Sequence, residues 1–251
     1  MFKTLGVLAL ATLILITNHA AAAPEKPLSV VLVHGAFVDG SGWQKVYSLL
    51  KKDGYEVIVV QNSTATLDGD IATTKRAIAT AKHAVVLVGH SYGGAVITEA
   101  GNDPKVQRLV YIAAFAPEVG ESVATIIAQP VPGALPVPIL PPRDGFLSLD
   151  VAKFPKAFAP DIDPAISTFM AASQVPWGQT AVYTKLTEAA WKTKPTWFMI
   201  TTNDHMIPTP QQREMAARAH AHSVDIASSH AVMLSHPTKV AAFIEQAATA
   251  P

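Results

Sequence analysis

Cysteine is absent from all 251 residues. Disulfides, thiolate metal sites and a cysteine nucleophile are therefore excluded. A surplus of either charge is also missing, since 19 Lys and Arg stand against 19 Asp and Glu. That balance leaves no basic footprint for nucleic acid or for an anionic membrane surface, and no nucleic-acid partner is expected. Charge as a whole is scarce, at 15% against 49% hydrophobic residues. Such a composition argues against disorder and suits one globular domain with a sizeable core. The apolar run LGVLALATLILI, Leu5 to Ile16, is also shorter than the roughly 20 residues a spanning helix needs.

What that run does match is a leader. It follows Lys3 and precedes Ala20 to Ala23, the charged, apolar and small-residue order of a secretory signal peptide. Residues 1–23 are expected to be removed near Ala23, leaving 24–251 as a single domain in the periplasm or outside the cell, with no stable membrane association. A retained N-terminal anchor is the rival reading. Export agrees with the missing cysteine, because no thiol is left to oxidise.

The chain is organised around Ala84 to Val96, AVVLVGHSYGGAV. A β-branched apolar run breaks at Gly89, Ser91 follows two residues later, and Gly93 and Gly94 lead into a helix-compatible segment. Strand, sharp turn and helix are predicted in that order. Glycines at 89 and 93 are needed because a tight turn at Ser91 brings neighbouring backbone too close for side chains. The helix after the turn would aim its free N–H groups and positive dipole end at the space above the serine.

Around this junction the pattern repeats. Apolar runs of strand length occur at Ser29–Val33, Glu56–Val60, Arg108–Ala113, Thr196–Thr201 and Ser223–Ala227. Helical spacing fills the intervals, as in Trp43–Lys52, where Trp43, Val46, Tyr47 and Leu50 share a face, and in Asp68–Lys82, Thr209–Ala219 and Pro237–Ala248. Asp68 and Asp70 read as first-turn residues that complement the helix dipole. The βαβ rhythm predicts an α/β fold: a doubly wound, mainly parallel six-stranded sheet with helices on both faces. It is interrupted after Ala116, where seven prolines fall from Pro117 to Pro142. Proline at that density precludes a core strand or a regular helix. Phe146, Phe154, Phe158, Phe169, Met170, Trp177, Tyr183 and Trp191 follow; individually most of them read as the small core of this segment, and collectively they predict an apolar pocket roof.

The Gly89-His90-Ser91-Tyr92-Gly93 junction resembles the nucleophile elbow of the α/β-hydrolase fold family. The resemblance extends nearly end to end and points to the small serine esterase branch related to plant methylesterases and hydroxynitrile lyases. It implies Ser91 as nucleophile, Asp204 in the loop after the Thr196–Thr201 strand as acid, and His230 after the last strand as base, in the family's chain order. Glu118, after the preceding strand, is the runner-up acid. The loop His34-Gly35-Ala36 implies an oxyanion hole formed by the Ala36 and Tyr92 backbone N–H groups. The family also implies that residues of about 117–192, inserted before the penultimate strand, form a cap. Where lyases of this branch carry a threonine and a lysine, this chain has Gly35 and Ala231, which favours ester hydrolysis. The expected function is cleavage of carboxylic esters of small apolar substrates, with no cofactor and no metal. A slow or non-catalytic binding protein on the same fold, and a cofactor-free perhydrolase or lyase, are the alternatives. The sequence sets no oligomeric state.

Overall fold

The computed structural model describes residues 28–250. The proposed leader, residues 1–23, lies outside them. In chain order the first half comprises β1 (Leu28–Val33), a 3₁₀ turn (Gly40–Trp43), α1 (Gln44–Lys52), β2 (Glu56–Val60), α2 (Leu67–Thr80), β3 (Ala84–His90), α3 (Tyr92–Ala100) and β4 (Val106–Ile112). A long excursion follows with α4 (Val123–Ile127), β5 (Phe146–Leu147), α5 (Phe154–Phe158), α6 (Pro164–Ala172), β6 (Trp177–Gly178) and α7 (Gln179–Tyr183). The main sheet resumes with β7 (Thr196–Thr201), α8 (Thr209–Arg218), β8 (His222–Ile226), α9 (Val232–Ser235) and α10 (Pro237–Thr249).

Six strands form one sheet in the order β2-β1-β3-β4-β7-β8, and every pairing in it is parallel. Parallel strands buried on both faces should be apolar at every position and should feed two cores by alternation. That is observed. In β3, Val85 and Leu87 face a cluster with Leu67 and Ile78 of α2 and Ile97 of α3. Val86 and Val88 face the opposite one, with Val46 and Leu50 of α1 and Val240 and Ile244 of α10. Removing Leu87 to Ala at such a site costs on the order of 2–5 kcal/mol.

Two expectations need correction. Tyr47 does not share the buried face of α1 but is 38% exposed. The proline-dense stretch does contain one short helix, α4, which fits in the proline-free window between Pro117 and Pro130. Its start is fixed by a capping box, in which Ser122 and Thr125 each accept the other's backbone N–H.

Candidate active site

Ser91 sits between β3 and α3 with φ 54° and ψ −125°, a conformation that a residue with a Cβ adopts only under outside constraint. The constraint is visible. Ser91 N–H donates to the Ile112 carbonyl at 3.3 Å, and the Ser91 carbonyl accepts from Gly94 N–H at 2.9 Å and Phe115 N–H at 3.1 Å. A Cβ at Gly89 would lie 2.6 Å from the Gly93 carbonyl oxygen, and one at Gly93 would lie 2.7 Å from those of Val33 and His34. The glycines are thus required by close approach, as the sequence predicts. A serine ahead of a helix ordinarily caps it with its hydroxyl; Ser91 makes no such bond, so its Oγ is not used for structure.

Asp204 follows β7 in a tight turn. Its Oδ1 accepts from the N–H groups of Met206 at 2.7 Å and Ile207 at 3.0 Å, and its Oδ2 from Thr201 Oγ1 at 2.8 Å and Gln212 Nε2 at 3.0 Å. The same Oδ2 lies 2.8 Å from His230 Nδ1, with both side chains almost wholly buried. A carboxylate accepts, so Nδ1–H donates and Nε2 keeps its lone pair. That tautomer is the one a general base needs. Nε2 is buried without a hydrogen-bond partner among the described residues, so no bond joins it to Ser91 Oγ. The two loops are nevertheless brought together, because His90, next to Ser91 in the chain, bonds to the His230 carbonyl through Nε2 at 2.9 Å. The rings of His90 and Phe158 pack on the His230 ring at centroid distances of 4.7 and 4.8 Å. Glu118, the rival acid, instead pairs with Lys192 at 2.7 Å.

Ala36 lies in the turn after β1 and Tyr92 opens α3, and both are buried. His34 controls the geometry between them. Asn62 N–H donates to His34 Nε2 at 2.9 Å, so Nδ1 carries the proton and donates to the Gly35 carbonyl at 2.8 Å. In a trans peptide the N–H points opposite to the carbonyl, so this bond sets the direction of the Ala36 N–H. Burial holds the His34 imidazole below its usual value, and that of His90 well below. Tyr92 donates its hydroxyl to Asp70 Oδ2 at 2.8 Å. Asp70 stands in the first helical turn as the sequence reads it, and the Tyr92 bond adds a buried partner to that role. Its side chain is fully buried and also receives Thr64 N–H at 3.2 Å. Burial raises its carboxyl above the usual value despite these donors.

Asp161 is a residue that sequence reasoning missed. From the excursion between α5 and α6 it accepts the Ser229 N–H at 2.9 Å and the Ser228 hydroxyl at 3.0 Å, and it also takes the Ser229 hydroxyl, thereby gripping the loop that carries His230. No motif marks it. The aromatics of the excursion divide: Phe154, Phe158, Trp177 and Trp191 are buried in its core, whereas Phe169 and Tyr183 are 71% and 63% exposed.

A family model described as the alpha/beta hydrolase family matches residues 30–243. An alpha/beta hydrolase of Aspergillus novofumigatus (strain IBT 16806) is 27% identical over 243 residues, covering 88% of this chain and 96% of that protein. The carbendazim hydrolyzing esterase of Nocardioides sp. (strain SG-4G) is 35% identical over 116 residues, 41% of this chain and 48% of the other, so that match spans about half of the relative. Among solved structures, a pyrethroid hydrolase from Sphingobium faniae JZ-2 has a TM-score of 0.75 at 23% identity over 89% of this chain and 98% of that one. The chain belongs to the alpha/beta hydrolase family, and it is an enzyme of the hydrolase class. No helix among the described residues is long and apolar enough to cross a membrane.

Proposed function

We propose that the protein hydrolyses carboxylic esters of small apolar substrates through an acyl-enzyme formed on Ser91. His230 Nε2 takes the proton of the Ser91 hydroxyl, the alkoxide oxygen attacks the ester carbonyl, and the Ala36 and Tyr92 N–H groups receive the developing oxyanion. His230 returns the proton to the departing alcohol and then activates water to release the acid. Asp204 holds the imidazole in its tautomer and stabilises the charged form. The observation that carries this reading is the buried 2.8 Å contact between His230 Nδ1 and Asp204, beside a strained serine whose hydroxyl has no structural task. Hydrogen bonds between nucleophile and base commonly tighten only once substrate is bound.

Ser91→Ala is the direct test. Hydrolysis of p-nitrophenyl acetate should vanish while the circular dichroism spectrum stays unchanged; undiminished turnover would overturn the assignment. The rival, a binding protein on the same fold, is separated by fluorophosphonate labelling together with multiple turnovers, since a binder labels without cycling. The side chains at Gly35 and Ala231 offer nothing to hold a cyanohydrin hydroxyl or a departing cyanide, which supports hydrolysis over lyase chemistry. Lys3, the apolar run after it and the four alanines before Pro24 support export, with residues of about 117–192 acting as the cap of the mature domain.

A further inference from the structure

A cavity of about 510 Å³ opens between the 3₁₀ turn before α1 and helix α6. Its volume falls in the range of roughly 300–1,000 Å³ typical of small-molecule sites. Neither Ser91 nor Asp204 nor His230 lines it. The apolar walls come from Phe37 and Val38, directly after Ala36, from Ile166 and Met170 of α6, and from Leu234 of α9. Phe169, also on the wall, stands 71% exposed, an apolar side chain that the fold itself leaves uncovered.

The charges are one-sided. Asp39, Asp161 and Asp163 line the cavity against Lys45, three carboxylates to one ammonium. Two of the three have acceptor capacity to spare. Ser41 donates its N–H and hydroxyl to Oδ1 of Asp39, and Ala165 N–H donates to Oδ1 of Asp163. Oδ2 of each has no hydrogen-bond partner among the described residues. Burial opposes the charge on Asp39, but the two Ser41 donors outweigh it and hold the carboxyl below its usual value. An apolar body with a positive centre matches this lining, and an anion of the same shape does not.

We propose that the cavity is a second ligand site, separate from the reacting atoms, for a small aromatic cation. The site does not depend on the esterase reading, because binding is read by titration and not by turnover. Its place in the molecule gives it consequence all the same. One wall continues from the proposed oxyanion loop, and another contains Asp161, which grips the loop of His230.

The test titrates the full-length protein with 1-naphthylmethylamine and with 1-naphthoate, a cation and an anion of similar shape, by calorimetry. The amine should bind at least about tenfold more tightly, a difference of about 1.4 kcal/mol. Gly42 lines the cavity, and a Cβ added there meets nothing within 4 Å. Gly42→Phe should therefore fill the space without collision, abolish amine binding and leave hydrolysis of p-nitrophenyl acetate unchanged. Asp163→Asn keeps a helix-capping side chain and removes one charge, so it should weaken the amine and spare the naphthoate. Absence of binding by either probe, equal binding of both, or full amine binding by Gly42→Phe would overturn the proposal. So would competition of the amine with the ester at a Ki equal to its Kd.

Discussion

His90 Nε2 lies 2.9 Å from the carbonyl oxygen of His230. A carbonyl can only accept, so Nε2 carries a proton, and burial keeps the second nitrogen, Nδ1, unprotonated by holding the imidazole well below its usual value. His34 is fixed as a neutral imidazole by a different route, because its Nε2 accepts the Asn62 N–H and so holds no proton. Two buried rings flanking the proposed nucleophile thus need to remain uncharged for the fold to hold.

This has a pH signature. Burial depresses both values in the folded protein below the ordinary 6.5, so the unfolded chain takes up protons that the folded one refuses. Stability should then rise with pH across the window below about 6.5 and be lost as the solution is acidified through it. The slope is at most about 1.4 kcal/mol per pH unit for each ring. Urea midpoints measured from pH 7.5 down to 5 should show this decline, and His90→Gln should make it shallower. A flat profile would contradict the account.

His34→Ala should act on the rate and not on binding. Without its bond to the Gly35 carbonyl, the Ala36 N–H loses its fixed direction, and such a donor matters most when charge develops on the substrate oxygen. We expect kcat to fall by about 10- to 100-fold with KM nearly unchanged. A rise in KM at constant kcat would argue for a packing role instead.

Gly35→Ala tests a different constraint. A Cβ at Gly35 would stand 2.6 Å from Ser91 Cβ, and Ser91 is held by three backbone bonds that resist displacement. The expected cost is about 1–3 kcal/mol of stability, with esterase activity reduced more than thermal stability would suggest. A fully active variant would show that the elbow yields more easily than its hydrogen bonds imply.

The choice of acid is decided by a pair of variants. Asp204→Asn should lower kcat on the order of 10³- to 10⁴-fold, because the wrong imidazole tautomer is then favoured. Glu118→Gln should stay close to the parent activity, since that carboxylate faces Lys192. The reverse result would reassign the acid.

Much of this was legible in the residues alone. The unbroken apolar run AVVLV predicted a strand, and spacing around Ser91 predicted the turn, because both depend on neighbours a few positions apart. That Asp204 and His230 follow the last two strands of the sheet was legible from the apolar runs, while the roles proposed for them rest on the family resemblance. Asp70 stands in the first turn of α2 as read, but its partner, the Tyr92 hydroxyl, is 22 residues away and no local pattern announces a buried pair. Asp161 was invisible for the same reason: it lies in an irregular segment and meets Ser229 across 68 residues. The aromatics of the excursion shared a composition but no periodicity, and only tertiary packing decided which of them turned inward.

One bond placed early in the excursion has a wider meaning. After leaving β4 the chain donates Phe115 N–H to the Ser91 carbonyl at 3.1 Å, before any of the irregular segment begins. The backbone posture of the proposed nucleophile is therefore secured upstream of the proposed cap. Replacing the excursion beyond Phe115 should therefore leave the Ser91 backbone conformation as it is.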